Sequence, residues 1–117
     1  MPHCVIECPA ELAQAPQIMP LMQAVHQAAV ASGLFETPDI KVRVLPSAHY
    51  LVGGQPDAFV HVTTHILAGR SEQQKKQLAD AVARAACAQL PQVAMITSEV
   101  RDIQREAYSN RRQAMAG

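Results

Sequence analysis

The sequence predicts an α+β fold of two layers, in which two tandem β-α-β units form one sheet with both helices on one face. Two stretches of helical period are each flanked by short apolar or alternating runs. The order strand, helix, strand occurs twice, with an offset of about 58 residues that matches Pro2 with Val60. A β-α-β crossover requires parallel strands and a right-handed connection. We therefore expect a single domain over 1–117, with pseudo-repeats over 2–57 and 58–117.

The first unit contains the three expected elements in order. Residues 3–8 are rich in Val, Ile and Cys, which favours a largely buried strand that Pro9 ends. Apolar residues then recur at helical spacing over 16–32, and Gly33 is a suitable residue for the C-terminal cap. The segment 40–44 alternates apolar and basic residues, the period of a half-exposed strand. These elements make up one β-α-β unit.

The second unit repeats this order. Residues 58–67 form the next predicted strand. Ser71 followed three residues later by Gln74 is a capping-box pattern, and the helix that it starts should run to about Leu90. A last strand is predicted near 96–103, before a polar tail. The second unit thus ends in a strand that should lie parallel to its first.

Composition excludes several classes of function. Ten basic and ten acidic residues balance, so no electrostatic footprint for nucleic acid or a membrane surface is present. The cysteines Cys4, Cys8 and Cys87 lack the spacing of a zinc site, and His61 and His65 share a strand face without a third ligand. No signal peptide or membrane-spanning run is apparent. We expect a cytoplasmic protein whose cysteines are reduced and mostly buried. A chain this short would also bury more apolar surface by forming an oligomer.

The opening dipeptide offers a candidate general base. If Met1 is removed, Pro2 carries a free secondary amine. A free α-amino group has a reference pKa of about 7.7–8.0, so burial or a nearby cation brings it close to neutrality. The alternative is a proline that simply starts a strand.

Three cations are candidates for binding an anion. Arg70 lies where a strand meets a helix, and backbone N–H groups at a helix start also favour anions. Lys41 and Arg43 are two residues apart in a strand and must share a face. The alternatives are a solvated arginine beside a helix cap and a polar strand face at a subunit contact.

Several short segments, in this order and spacing, resemble a known family. The stretch from His65 to Ser71 with its following helix resembles 4-oxalocrotonate tautomerase, a subunit of about half this length. Further pieces with counterparts in longer relatives are Pro2-His3, Val5-Ile6-Glu7-Cys8, Phe59-Val60-His61, Ala68-Gly69-Arg70-Ser71 and Ser98-Glu99-Val100. Through them the whole chain resembles the doubled, long-subunit relatives, the 5-carboxymethyl-2-hydroxymuconate delta-isomerase family.

The resemblance implies the tautomerase fold, a homotrimer and a cofactor-independent isomerase that needs no metal. Its substrate would be a small anionic unsaturated carboxylate from aromatic ring cleavage, first of all 5-carboxymethyl-2-hydroxymuconate. Pro2 would be the acid-base group and Arg70 a substrate-binding cation, with one active site per subunit. By its spacing from Pro2, the family's other active-site arginine corresponds most nearly to Lys41. Arg43, two residues further on, is the alternative that has a planar guanidinium. Tyr108 lies near the position at which the shorter relative carries an aromatic wall that excludes water. The alternative is a tail aromatic that packs on a neighbouring subunit.

Two other functions fit the same residues. A hydratase or dehalogenase would use a protonated proline and a carboxylate, Glu7 or Glu99, to activate water. A noncatalytic oligomer would keep the anion pocket without turnover. The proline mechanism further requires that Met1 be removed, since an amide nitrogen is not a base.

Overall fold

Four strands form one sheet that is apolar on one face and polar on the other. The computed structural model describes all residues from 1 to 117. Side chains alternate between the two faces of a strand, so Cys4, Ile6 and Cys8 of β1 are buried at alternate positions. The sheet order is β2-β1-β3-β4. The strands are β1 (His3–Pro9), β2 (Lys41–Ser47), β3 (Phe59–Leu67) and β4 (Met95–Ile103).

Two long helices cover the apolar face. Helix α2 spans Ile18–Ala31 and helix α3 spans Glu72–Gln89. Each buries residues at four-residue spacing, which places them on one stripe of the helix. The helices pack on each other and on the strands of their own units. The predicted two-layer α+β fold, with both helices on one face, is confirmed. The buried helical residues are Leu21, Val25, Ala29, Leu78, Val82 and Ala86.

Strand pairing brings three chain segments to one end of the sheet. Strands β1 and β2 are parallel with His3 opposite Lys41, and β3 and β4 are also parallel. Strands β1 and β3 are antiparallel, with His3 opposite His65. The N-terminus, the start of β2 and the end of β3 therefore meet at the same end of the sheet. The division into pseudo-repeats over 2–57 and 58–117 stays a prediction.

The core lies between the sheet and the two helices. It is a cluster of 14 buried apolar residues, including Ile6, Val62 and Leu78. Burial raises the pKa of the Cys4 and Cys8 thiols above the usual value, because a thiolate is poorly solvated there. These two cysteines thus behave as small hydrophobes, whereas Cys87 is exposed.

The connections and the tail differ in part from the prediction. Strand β2 continues through Pro46 to Ser47, which an edge strand permits because its outer N–H groups have no partner. A short helix α1 (Ala10–Ala13) follows β1 directly. The tail contains a 3₁₀ turn, Arg105–Ala107, and a helix α4, Arg111–Ala116. None of the helices combines the length and the hydropathy that crossing a membrane requires.

Candidate active site

A cavity of about 490 Å³ opens at the end of the sheet where the N-terminus meets the end of β3. Four segments contribute to it: the N-terminus, the connection from α2 to β2, the junction of β3 and α3, and the tail. Its apolar wall includes Leu34, Phe35, Ile66 and Leu67. Its cationic side chains are Lys41, Arg70 and Arg105, and its carboxylates are Glu36 and Asp39.

Pro2 directly precedes β1 and does not itself line this cavity, although its neighbour Met1 does. Its side chain is less than 2% exposed, and its carbonyl accepts a hydrogen bond of 3.1 Å from the backbone N–H of Lys41. Met1 is present, lines the cavity and carries the α-amine, so the nitrogen of Pro2 is here part of an amide. Removal of Met1 would leave the Pro2 nitrogen as the amine at this end of β1.

The α-amine of the chain lies in a surrounding that favours its neutral form. Burial lowers the pKa of the Met1 amine below its ordinary value, and the Lys41 ammonium lowers that pKa further. The Asp39 carboxylate acts in the opposite direction and is the smallest of the contributions. The Met1 amine therefore has a larger neutral fraction near pH 7 than an unperturbed α-amine would have.

The structure places Lys41 and Arg43 differently, although they share a strand face. Lys41 lines the cavity, and its Nζ donates a hydrogen bond to the backbone carbonyl of Asp39. Arg43 does not line the cavity; its Nη1 lies 2.9 Å from Nδ1 of His3. Burial lowers the pKa of His3, and the charges of Lys41 and Arg43 lower it further. This leaves the imidazole as the acceptor of the Arg43 hydrogen bond.

Arg70 is held at the junction of β3 and α3 by its neighbours. Gly69 has a φ of +131°, a conformation that side-chain-bearing residues rarely adopt. Ser71 caps α3, and both hydrogen bonds of the predicted capping box with Gln74 are present, at 3.1 and 2.9 Å. The chain thus turns sharply before Arg70 and is fixed immediately after it.

The guanidinium of Arg70 is only partly satisfied within the protein. Its Nη2 donates a hydrogen bond of 2.6 Å to the carbonyl of Leu34, after the end of α2. Its Nε is buried and has no hydrogen-bond partner. A buried donor without an acceptor costs about 1–3 kcal/mol, and such groups are rare in folded proteins.

The tail contributes Tyr108, a candidate from the family resemblance, and Arg105, which was not a candidate from the sequence. Tyr108 is half-buried and lines the cavity. Arg105 lines it too, and its Nε donates a hydrogen bond of 2.6 Å to the carbonyl of Ala68. The available signal was its position three residues before Tyr108. The tail looked merely polar because its 3₁₀ turn is too short to have a periodicity.

The candidates for other chemistries lie elsewhere. Glu7 and Glu99 do not line the cavity. His61 instead bonds Glu99 at 2.6 Å and Thr97 at 2.6 Å on the polar face of the sheet. No three His, Cys, Asp or Glu side chains are grouped closely enough to hold a metal ion.

The fold of the chain is that of tautomerase-fold proteins, and the family match assigns it to the isomerases. Residues 2–110 match the family described as 5-carboxymethyl-2-hydroxymuconate isomerase. The chain belongs to this family. A search of curated proteins finds no significant match.

Solved structures with the same fold agree with this assignment. A 5-carboxymethyl-2-hydroxymuconate isomerase from Deinococcus radiodurans R1 is 28% identical, with a TM-score of 0.79 over 99% of this chain and 94% of that one. A 5-carboxymethyl-2-hydroxymuconate delta-isomerase is 20% identical, with a TM-score of 0.74 over 95% and 87%. The Q0 fused 4-OT, a wild-type symmetric trimer, is 21% identical, with a TM-score of 0.81 over 97% of each chain. The two structures below 25% identity support the fold alone.

Proposed function

We propose that this isomerase converts an enol to a keto form by moving a double bond in an unsaturated carboxylate from aromatic ring cleavage. The first substrate to consider is 5-carboxymethyl-2-hydroxymuconate, the compound in the family's name. The observation that carries the proposal is the convergence of the N-terminus, Lys41 and Arg70 on one cavity.

The base in this proposal is the amine of Pro2, after Met1 has been removed. The amine takes the proton of the substrate's 2-hydroxyl group, and electrons move along the conjugated system as the carbonyl forms. The same ammonium then returns its proton to carbon at the far end of that system. One O–H bond breaks, one C–H bond forms, and no electron is gained or lost. A base whose pKa lies near the working pH suits both transfers, and the lowered pKa of the Met1 amine, one residue away, supports such a base at this end of β1.

Arg70 and Lys41 supply the positive charge that the reaction needs. The Arg70 guanidinium is planar and lines the cavity, and Nη2 is its only nitrogen with an acceptor in the protein, so Nη1 and the second N–H of Nη2 can bind a substrate carboxylate. Lys41 lines the cavity beside the Met1 amine and, in a chain that begins at Pro2, would stabilise charge on the oxygen where the base acts. We assign the second cation to Lys41 rather than Arg43, because only Lys41 lines the cavity.

The apolar wall and Tyr108 complete the proposed site. Apolar side chains exclude water around the conjugated part of the substrate, which strengthens each charge–charge interaction inside. The half-buried ring of Tyr108 is placed to contribute to this wall. We assign it the role of binding the substrate and keeping the amine poorly solvated.

We also propose that the protein acts as a homotrimer. The fused 4-OT structure is a symmetric trimer with a closely similar chain fold. The polar face of the sheet is uncovered in a single chain and exposes Leu45 and Met95, which are 56% and 50% exposed. Apolar groups on an otherwise polar sheet face favour burial against other copies. Light scattering combined with gel filtration would measure the assembly.

The decisive experiment compares the same protein with and without Met1. Intact mass identifies the two forms, and the loss of the dienol's ultraviolet absorbance measures turnover. We expect activity only in the form that begins at Pro2. Equal activity in the Met1-bearing form would exclude the Pro2 amine as the base. Dicarboxylate binding without any loss of enol, in a preparation verified to begin at Pro2, would instead indicate a noncatalytic anion-binding protein.

A further inference from the structure

Arg105 is fixed to the same stretch of backbone that carries Arg70. Its Nε donates to the carbonyl of Ala68 at 2.6 Å, and the N–H of Ala68 donates to the carbonyl of Ile103 at 3.0 Å. The end of β4 and the chain after it therefore bond both the N–H and the carbonyl of Ala68. A β-carbon placed on Gly69 would lie 3.5 Å from Nη2 of Arg105, so the guanidinium lies directly over this glycine.

The outer edge of this guanidinium is free. Nη1 and Nη2 of Arg105 make no hydrogen bond within the protein, and no carboxylate lies within 4.0 Å of them. Other cations of the protein, namely Lys75, Lys76 and Arg101, are paired with carboxylates. An anchored Nε with two free terminal nitrogens leaves a planar fork that matches a carboxylate.

The charges around the cavity are divided between its two sides. Both carboxylates, Glu36 and Asp39, belong to the segment that precedes β2, and Lys41 is the first residue of β2. On the side formed by β3, the β3–α3 junction and the chain after β4, the charged residues are both cations, Arg70 and Arg105. A substrate with several carboxylates meets the least repulsion when two of them face this second side.

We propose that Arg105 is a specificity-determining residue, which binds the carboxylate that distinguishes an unsaturated tricarboxylate from a dicarboxylate. The inference rests on the proposed function, because it assigns a further contact to the same site. Lys41 and Arg70 bind the groups that both substrates share. Arg105 binds the additional carboxylate through Nη1 and Nη2, while its Nε keeps the hydrogen bond to Ala68.

The test compares two substrates that differ by one carboxylate arm. The tricarboxylate is 5-carboxymethyl-2-hydroxymuconate, and the dicarboxylate is 2-hydroxymuconate. For Arg105→Ala we expect KM for the tricarboxylate to rise by about 10- to 100-fold, which is the loss of affinity expected when one charge-assisted hydrogen bond is removed. KM for the dicarboxylate should change by less than about 3-fold. Arg105→Lys keeps the charge and loses the planar fork, so its KM for the tricarboxylate should lie between those of wild type and Arg105→Ala.

A matched control and a binding measurement separate the possible outcomes. Arg84→Ala removes one exposed positive charge on α3, outside the cavity, and should leave both KM values unchanged. Equal losses on the two substrates for Arg105→Ala would indicate that Arg105 only supports the backbone at Ala68, and would overturn the proposal. Unchanged KM values would overturn it as well.

Calorimetry gives a readout that does not depend on turnover. Propane-1,2,3-tricarboxylate and glutarate differ by one carboxylate, and neither can be isomerised by moving a double bond. The intact protein should prefer the tricarboxylate, and Arg105→Ala should lose that preference by about 10- to 100-fold. If this preference is found and lost while wild-type protein turns over neither muconate, the proposed isomerisation fails and the role of Arg105 in binding stands. If the intact protein shows no such preference, the role of Arg105 is overturned.

Discussion

Nη2 of Arg70 donates a 2.6 Å hydrogen bond to the backbone carbonyl of Leu34. Arg70 follows β3 in the second β-α-β unit, whereas Leu34 follows the helix of the first. The bond therefore crosses from one unit to the other at the edge of the cavity. It fixes the guanidinium while leaving the buried Nε without an acceptor.

Replacing Arg70 tests its proposed role in binding and stabilising the substrate. We expect Arg70→Ala to lower kcat/KM by about 10²- to 10³-fold, the usual effect of removing one preorganised donor from a site of developing charge. Arg70→Lys should recover only part of this loss, because an ammonium cannot replace a planar fork. The measurement is the rate of dienol loss on protein verified to begin at Pro2. Parental activity in Arg70→Ala would show that the site is wrongly assigned.

The pH dependence distinguishes Lys41 from Arg43. The charge of Lys41 lowers the pKa of the Met1 amine. In a chain that begins at Pro2 we expect the same charge to lower the pKa of the Pro2 amine, so removing that charge should raise this pKa. A base must be neutral to accept a proton, and the acidic limb of kcat/KM should therefore move to higher pH in Lys41→Gln. Lys76→Gln, which removes an exposed helical lysine, serves as the control for charge. If Arg43→Gln moved the limb and Lys41→Gln did not, the second cation would be Arg43.

The sequence predicted the elements well wherever a periodic pattern extends over several turns or residues. The stripe of α3 and the Ser71–Gln74 capping box are examples, and both are present in the structure. Sequence spacing also indicated that Lys41 and Arg43 share a face. It could not show which of them reaches the cavity, because that depends on pairing with His3 and on the position of the N-terminus.

Arg105 illustrates a different limit of sequence analysis. Its role depends on a contact with Ala68, 37 residues earlier, made from a 3₁₀ turn that has no amphipathic pattern. A single arginine in a polar tail is indistinguishable from a solvated one until the chain has folded. Tyr108 was found only through resemblance to a family, and the structure places it in the same cavity.

Loss of the Ser71 cap should weaken α3 measurably. The Ser71 side chain accepts a hydrogen bond from the N–H of Gln74, and substitution of such a cap by alanine costs about 0.5–2 kcal/mol. We expect Ser71→Ala to lower the free energy of unfolding by this amount in urea titrations at fixed protein concentration. Ser109→Ala is the control, since that exposed hydroxyl caps no helix. Equal stability of the two variants would mean that the capping box contributes nothing net.

The polar face of the sheet should make stability depend on acidity through Glu99. A hydrogen bond from Arg101, and a second from His61, hold the pKa of the Glu99 carboxyl below its usual value. A carboxyl whose pKa is lower in the folded state stabilises the fold above its unfolded pKa of about 4.3, and this stabilisation is lost as the pH falls through the folded pKa. Glu99→Gln removes the titrating group. Its deficit in unfolding free energy relative to wild type should therefore be present near pH 6 and should shrink as the pH falls.

Urea titrations of wild type, Glu99→Gln and Glu106→Gln across this pH range make the comparison. Glu106 is exposed and forms no ion pair, so its replacement controls for the loss of one surface charge. Protein concentration must be the same throughout, because assembly of copies would also stabilise the fold. A Glu99→Gln deficit that stayed constant with pH would show that the side chain contributes by packing. A deficit that shrinks below about pH 4 would assign the contribution to the charged carboxylate.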